Sequence, residues 1–239
     1  MNELEQILTD IDGGKVLDAA TGDGEFVSLL VDNLRTFTTI TGIDVDENLL
    51  ADAHRQFSSG TIRFRHADAA ALPFSDQSFD LVTMSNALHH VEEPELVIAE
   101  LCRVVKAGRP VLFQEMVADG LSPAEQVIAD LHEIKAAVDM LLGIPHRATY
   151  GRADILKFFA DSRLELVRTV EYQEPIEDPF DQPGIDARIE FIFSYLEHIS
   201  GTGNEYARLT RDAYRVKERI YRTGIAAPPE LVILAHRRS

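Results

Sequence analysis

The sequence predicts an α/β fold: a seven-stranded, mostly parallel sheet whose last strand is antiparallel, with helical insertions that form a lid. Two observations support this fold class. Short apolar runs alternate with segments of helical periodicity through the first two thirds of the 239 residues, which is typical of a parallel sheet with helices on both faces. Longer helical segments and one last apolar run follow, and we expect that run to pair antiparallel beside the sixth strand.

The predicted strands are short runs rich in β-branched and aliphatic residues. They comprise residues 15–19, 38–43, 62–66, 79–84, 110–115, 164–171 and 228–236. The predicted helices comprise residues 25–34, 48–57, 94–105, 122–142, 152–159, 185–199 and 206–222. Pro94 and Pro123 stand near helix starts, where a missing backbone N–H costs no hydrogen bond, and Ser122 is the predicted N-cap of its helix.

These elements divide into a core and a lid. We assign residues 1–118, 160–173 and 228–239 to the core that contains the sheet. Residues 119–159 and 174–227 form the helical insertions. Few residues precede the first strand, so the insertions must cover any site at the sheet edge, and we expect them to determine substrate choice.

The composition restricts the function. The formal net charge is −17, from 23 basic and 40 acidic residues, so a phosphate backbone would be repelled and we expect no nucleic-acid partner. Cys102 is the single cysteine, which excludes an intramolecular disulfide and favours a cytoplasmic location. The acidic N-terminus lacks the apolar run of a signal peptide, and no stretch has the length and apolarity of a membrane span. We therefore expect no association with a membrane.

The first predicted strand leads into Asp18-Ala19-Ala20-Thr21-Gly22-Asp23-Gly24, a loop that precedes a helix. Gly22 and Gly24 permit positive φ and a close approach of a ligand to the backbone. Asp44 ends the second strand, where a carboxylate can accept both hydroxyls of a ribose. Asp68 follows the third strand, where a carboxylate can accept a hydrogen bond from an adenine amine. Because ligands of open α/β sheets bind at the carboxyl ends of the strands, these residues predict one nucleotide-like site.

These segments resemble the class I S-adenosylmethionine-dependent methyltransferase family, in particular the branch with the ubiquinone/menaquinone C-methyltransferases. The resemblance rests on six segments: Val16-Leu17-Asp18-Ala19-Ala20-Thr21-Gly22-Asp23-Gly24, Gly42-Ile43-Asp44, Asp68-Ala69 with Leu72-Pro73-Phe74, Phe79-Asp80-Leu81-Val82, Asn86-Ala87-Leu88-His89-His90-Val91 and Arg103-Val104-Val105-Lys106-Ala107-Gly108. It implies a Rossmann-like fold, S-adenosylmethionine as the cofactor, and methyl transfer to a small molecule at oxygen, nitrogen, carbon or sulfur.

The resemblance also implies which residues bind the cofactor. They are Asp18, Ala20, Gly22, Gly24, Asp44, Val45, Asp68, Ala69 and Asn86. The loop after the first strand would surround the methionine portion, the end of the second strand would hold the ribose and the end of the third would hold the adenine. Asn86 would lie beside the methyl group. The family usually has a glycine at the position of Ala20, so this loop is expected to be slightly less open.

Methyl transfer requires alignment of the acceptor with the methyl–sulfur bond and, for a protonated nucleophile, a base. His89 and His90 follow the fourth strand and Glu115 ends the fifth, and these three are the candidate catalytic residues. Other roles remain open for these residues. One histidine could cap a helix or pack near the cofactor, and Glu115 could be a solvated side chain.

The insertion contains the candidate substrate-binding residues His146, Arg147 and Tyr150, in a loop rich in polar and aromatic side chains. We expect no metal site, because the sequence contains no clear set of carboxylate ligands. The aromatic residues of the insertions either line an apolar pocket or pack the helices onto the core or onto a second subunit, so a homodimer remains open.

Two other functions are compatible with part of the pattern. An NAD-dependent oxidoreductase would use Gly22, Gly24 and Asp44. Val27 replaces the small third residue of that fingerprint, however, and Asp18 and Asp68 would have no role. A non-catalytic S-adenosylmethionine-binding protein would retain all of these residues, because they report binding and not turnover.

Overall fold

The computed structural model describes residues 2–160 and 162–238. Its seven strands form one sheet, in the order β3-β2-β1-β4-β5-β7-β6. The strands are β1 (Lys15–Ala19), β2 (Thr39–Asp44), β3 (Ile62–His66), β4 (Leu81–Ser85), β5 (Pro110–Met116), β6 (Leu164–Tyr172) and β7 (Glu230–Arg237). Strands β1 to β5 pair in parallel, whereas β7 lies between β5 and β6 and is antiparallel to both. The predicted fold class is confirmed, including the antiparallel last strand beside the sixth.

Eight α-helices accompany the sheet within the described residues. They are α1 (Glu3–Thr9), α2 (Glu25–Asn33), α3 (Glu47–Gln56), α4 (Pro94–Val104), α5 (Pro123–Leu141), α6 (Arg152–Ala160), α7 (Gln182–Leu196) and α8 (Asn204–Thr223). The predicted helices match α2 to α8 to within a few residues. The prediction omits α1, a single amphipathic segment whose start is fixed by a capping box between Asn2 and Glu5.

Successive strand residues point to opposite faces of the sheet, so the strands divide the core into two layers. Leu17 belongs to the layer that packs against α4 and α6, together with Leu101 and Phe159. Val16 belongs to the opposite layer, which packs against α1, α2 and α3 through residues such as Leu30. Burial on both faces explains why these strands read as nearly continuous apolar runs.

The lid has its own apolar core, made by α5, α7 and α8. Ile134 of α5, Ile192 of α7 and Val216 of α8 are among its buried residues. The predicted lid also included residues 152–159, but α6 packs Ile155 and Phe159 into the sheet core, so this helix lies with the core layers. Within the described residues, no helix has both the length and the apolarity needed to cross a membrane.

Candidate functional site

A cleft of about 770 Å³ runs along the carboxyl edge of β1, β2, β3 and β4. Its size is in the range of small-molecule sites. Asp18, Gly22, Asp44 and Asp68 all line it, although they come from the ends of three different strands. The parallel register of β1 and β2 aligns Ala19 with Ile43, which brings the loops that follow them to the same edge. The sheet therefore gathers the residues that the sequence analysis selected at these strand ends.

Asp18 is a buried carboxylate at the floor of this cleft, only 1% exposed. Thr21 and Thr83 donate hydrogen bonds of 2.6 Å to its two carboxylate oxygens. Loss of solvation on burial raises the pKa of Asp18 from 3.8 to about 6, against the lowering effect of the two hydroxyl groups. Such a group favours a nearby cation, because the cation stabilises its ionised form.

Asp44 joins the loops after β1 and β2. Its carboxylate accepts hydrogen bonds from the backbone N–H of Gly22, at 2.8 Å, and from that of Asp46, at 2.9 Å. Val45 beside it is 61% exposed and lines the cleft. Each carboxylate oxygen has two acceptor sites, so Asp44 retains capacity for further donors, such as a pair of hydroxyls.

The loop after β1 depends on left-handed backbone at three positions. Gly22 has a φ of 55° and Gly24, at the start of α2, a φ of 91°. Ala20 adopts a φ of 54°, which costs a residue with a Cβ atom about 1–2 kcal/mol. The methyltransferase family that this sequence resembles usually has glycine at the position of Ala20, and glycine would adopt this φ with less strain.

Asp68 is exposed at the rim of the cleft, and its carboxylate accepts a 2.8 Å hydrogen bond from the backbone N–H of Ala70. Ala69 next to it is buried and also lines the cleft. Arg103 of α4 holds the segment that follows, because its guanidinium group donates to the carbonyl oxygens of Leu72 and Phe74. A second set of bonds from Arg103 reaches the carboxylate of Glu100.

Asn86 follows β4 and also lies along the cleft, with a φ of 46°. Its side chain is turned into a network between β5 and β7: its amide donates to Glu230 and its carbonyl oxygen accepts from the backbone N–H of Met116. The side-chain polar groups of Asn86 are therefore engaged with the sheet, which leaves its backbone as the part that a ligand would meet.

The three candidate catalytic residues occupy different depths. His90 is exposed and lines the cleft. His89 and Glu115 are each only 2% exposed; they form a short hydrogen bond, and Glu115 also accepts from the backbone N–H of Leu88. Glu115 is thus a buried partner of His89, and the solvated alternative is ruled out.

Two histidines of this region have a pKa well below the ordinary value for imidazole. Loss of solvation, followed by the neighbouring His89 and His146, lowers the pKa of His90 to about 3. Loss of solvation likewise lowers the pKa of His132 to about 3. Both side chains are therefore neutral at physiological pH and present imidazole lone pairs.

The three candidate substrate-binding residues do not lie together in the cleft. His146 is buried and, together with Arg147, borders a second cavity between α5 and α8. Arg147 donates to the backbone carbonyl oxygens of His89 and Glu92. Tyr150 packs edge-on against Phe158, beside the sheet core, and is not among the described residues that line either cavity.

The lid contributes five cleft residues that the sequence analysis did not select, of which Lys135, Asp139 and Tyr195 are polar. Lys135 and Asp139 of α5 form a 2.7 Å ion pair, and Tyr195 of α7 donates to Asp139. The Lys135 ammonium lies 5.4 Å from the centre of the Tyr195 ring. Lys135 and Asp139 are four residues apart on one helix face, a spacing visible in the sequence, but nothing local indicates that this face meets the cleft.

Comparisons with known proteins agree with this geometry. Residues 17–113 match the family described as methyltransferase domain. The ubiquinone/menaquinone biosynthesis C-methyltransferase of Desulfotalea psychrophila is 36% identical over 99 residues, which are 41% of this chain and 40% of that protein. The demethylmenaquinone methyltransferase of Staphylococcus aureus is 33% identical over 118 residues, 49% of each chain. The chain spans about half the length of the curated relatives it matches.

Solved structures share the fold over nearly the whole chain. The YcgJ protein of Bacillus subtilis superposes with a TM-score of 0.65 at 18% identity, over 99% of this chain and 98% of that one. A methyltransferase from Methanosarcina mazei superposes with a TM-score of 0.59 at 16% identity, over 100% of this chain and 98% of that one. The lid is thus part of a shared architecture, whereas the sequence similarity lies in residues 17–113. Residues 17–113 thus match a methyltransferase domain and are similar in sequence to ubiquinone/menaquinone C-methyltransferases, and the whole chain shares its fold with solved methyltransferase structures.

Proposed function

We propose that this protein transfers the methyl group of S-adenosylmethionine to a small-molecule acceptor and releases S-adenosylhomocysteine. The observation that carries the proposal is the meeting of Asp18, Asp44 and Asp68 in one cleft. Asp18 would face the positively charged methionine end, Asp44 would bind the ribose hydroxyls and Asp68 would accept from the adenine amine. Three carboxylates would repel an additional phosphate, which favours this cofactor over a phosphorylated nucleotide.

The acceptor would bind between the cofactor and the lid. Lys135 and Tyr195 reach the cleft from α5 and α7, and Ile144 and Pro145 add an apolar wall. Such a wall excludes water and aligns the acceptor, which is the main requirement because the sulfonium is already an activated methyl donor. The chemical identity of the acceptor atom is left to a screen of oxygen, nitrogen, carbon and sulfur nucleophiles.

His90 is the candidate base in this arrangement because it is the one of the three candidate catalytic residues that lines the cleft. His89 and Glu115 would act behind it as positioning residues. His146 would act through its hydrogen bond to Asp139. Tyr150 lies outside the cleft lining, so we give it no direct role in the proposed site.

Location and assembly remain proposals. The single cysteine, buried Cys102, supports the cytoplasm. The net charge of −17 argues against a nucleic-acid acceptor. Exposed Phe191, Tyr214 and Tyr221 on α7 and α8 support a homodimer, which multi-angle light scattering of the purified protein would detect.

Calorimetric titration tests the cofactor. We expect micromolar binding of S-adenosylmethionine and S-adenosylhomocysteine and none of NAD. Asp44→Ala should weaken binding about 10- to 150-fold, because hydrogen bonds to a charged group contribute about 1.5–3 kcal/mol. The matched control is Asp52→Ala, which removes a carboxylate paired with Arg55 on the surface of α3.

The controls separate loss of binding from loss of folding. Thermal unfolding of both variants establishes that each is folded at the titration temperature. Equal affinities in Asp44→Ala and the parent protein would refute the assigned cleft. Binding of NAD in place of S-adenosylmethionine would favour the oxidoreductase, and cofactor binding without methyl transfer to any acceptor screened would favour a non-catalytic binding protein.

A further inference from the structure

Four histidines converge where the lid meets the sheet. His89 and His90 lie in the turn after β4, His132 lies in α5 and His146 lies in the loop after α5. Each offers one ring nitrogen to a common region, and no two of these nitrogens lie more than 4.8 Å apart. The Nε2 atoms of His132 and His146 are 3.1 Å apart. Because separate segments of the chain contribute these side chains, no local motif reveals the cluster.

Two of the histidines are oriented by buried carboxylates. Glu115 bonds to Nδ1 of His89, and Asp139 bonds to Nδ1 of His146 at 2.6 Å. All four of these residues are 2% exposed. A carboxylate accepts, so each imidazole donates from Nδ1 and keeps the lone pair of Nε2 for another partner. Metal-binding histidines in proteins are commonly held by a carboxylate in this way.

The hydrogen bonds within the cluster leave one ring nitrogen of His132 without a partner among the described residues. His146 donates from Nδ1 to Asp139, so its Nε2 is an acceptor and His132 must donate to it from Nε2. The Nδ1 atom of His132 is then an acceptor, and it is buried without a hydrogen-bond partner in the described residues. An ion that replaces the proton shared by the two Nε2 atoms would meet two lone pairs 3.1 Å apart, and the proton of His132 would then lie on Nδ1.

We propose that His89, His90, His132 and His146 bind a divalent first-row transition metal ion, with Zn²⁺ as the ion that fits best. Imidazole nitrogen is a preferred donor for zinc, iron, nickel and copper, whereas Mg²⁺ and Ca²⁺ take oxygen ligands. Tetrahedral coordination with Zn–N bonds of about 2.0–2.1 Å separates the nitrogens by about 3.3 Å. The 3.1 Å between His132 and His146 is close to that separation. The sequence analysis expected no metal site because it considered only carboxylates as ligands. In the structure the proposed ligands are histidines, and the carboxylates of Glu115 and Asp139 bind two of these histidines.

The ion would connect the lid to the sheet. His89 and His90 belong to the core, and His132 and His146 belong to the lid insertion. The exposed side chain of His90 lines the cleft, so an ion can enter from that side; the role of base proposed for His90 then belongs to the metal-free protein, because a bound ion occupies the lone pair. A bound ion would therefore fix the distance between the lid and the cofactor cleft, and it would stabilise the folded protein.

Metal binding is tested on protein that carries no polyhistidine tag and has been stripped with a chelator. Co²⁺ replaces Zn²⁺ in nitrogen sites and reports coordination by visible absorption. We expect saturation at one Co²⁺ per chain, displacement by one Zn²⁺, and a higher unfolding temperature in the presence of Zn²⁺. Competition with a chromogenic chelator measures the affinity for Zn²⁺.

Three variants assign the ligands. His132→Gln and His146→Gln should each remove a ligand and abolish stoichiometric binding. Glu115→Gln should weaken binding about 10- to 100-fold, as expected for a group that orients a ligand. The matched control is His198→Gln: His198 is exposed, bonds only to the carbonyl oxygen of Tyr195 among the described residues, and lies outside the cluster. Circular dichroism of the metal-free variants checks that they fold.

The outcomes are distinct from those of the proposed function, because metal binding is measured without the cofactor and cofactor binding is measured on stripped protein. Absence of a Co²⁺ spectrum and of any Zn²⁺-dependent stabilisation in the folded parent protein would overturn the proposal. Binding that His132→Gln and His146→Gln leave unchanged would also overturn it. Loss of binding in these two variants and retention in His198→Gln would establish the site.

Discussion

Burial of the Asp18 carboxylate should lower the stability of the protein, while its charge should strengthen cofactor binding, and a substitution at Asp18 tests both effects. Replacement of Asp18 by asparagine removes a buried charge at the floor of the cleft while it retains the size of the side chain. Thr21 and Thr83 each donate to one oxygen of the carboxylate, and the variant keeps one of these acceptors. We expect Asp18→Asn to raise the stability of the protein above pH 7 and to lower its affinity for S-adenosylmethionine.

The magnitude follows from the pKa of Asp18, which burial raises from 3.8 to about 6. The folded state then binds this proton more tightly than the unfolded state, so the free energy of unfolding falls as the pH rises from about 4 to above 6. At 1.36 kcal/mol per pKa unit, the ionised Asp18 costs about 3 kcal/mol at pH 8. The introduced amide forfeits one hydrogen bond worth about 1 kcal/mol, which leaves a net gain of about 2 kcal/mol.

Urea denaturation at pH 4.5 and pH 8 measures this difference. Asp18→Asn should be more stable than the parent protein at pH 8 and equal or less stable at pH 4.5. Asp80→Asn is the control with the opposite sign: burial alone would raise the pKa of Asp80, but hydrogen bonds from Lys106 and from the backbone of Lys15 hold it below its ordinary value. That variant should lose stability at pH 8.

Calorimetry completes the test, because the ionised Asp18 would stabilise the cationic end of the cofactor. The reasoning is refuted if Asp18→Asn is less stable than the parent protein at pH 8, or if its change in stability is the same at both pH values. Unchanged affinity for S-adenosylmethionine in the folded variant would contradict the place assigned to Asp18 in the cleft.

Three further variants test two glycine positions and one helix cap. Gly42→Ala should lower the free energy of unfolding in urea by about 1–3 kcal/mol, because the added Cβ would lie 2.6 Å from the ring of Phe64. Gly22→Ala, where a Cβ meets no atom within 4 Å, should lose about 1–2 kcal/mol from its positive φ alone; a loss at Gly42 below about 1 kcal/mol would contradict the steric argument. Ser122→Ala removes the capping box with Glu125 at the start of α5 and should cost about 1 kcal/mol, whereas an unchanged midpoint would show that lid packing alone fixes that helix.

The candidate cofactor site could be predicted from the sequence because its polar residues lie at the ends of strands. A strand that ends in Asp18 and a glycine-containing loop, followed by strands that end near Asp44 and Asp68, predicts one shared edge once the sheet is parallel. The structure confirms that these residues line one cleft. Their contacts with the cofactor stay a prediction that the titrations address.

The packing of the lid was harder to predict from the sequence. Helical periodicity indicates which face of a helix is buried but not which element covers that face. The pattern of residues 152–159 predicted a helix correctly, yet its partner in the sheet core is Phe113, far away in the sequence. Tyr150 looked like a substrate residue in a polar loop, but it packs beside Phe158. The cleft residues Lys135 and Tyr195 had no local signal that distinguished them from other helix residues.

The sequence by itself determined the fold class, the strand and helix positions, the glycine-containing loop and the acidic strand ends, because each depends on periodicity or on neighbouring residues. The tertiary structure alone decided that β7 also pairs with β5, that burial raises the pKa of Asp18, and that four histidines from the core and the lid meet around one point. These features depend on long-range packing and on exclusion of water, which no local pattern encodes.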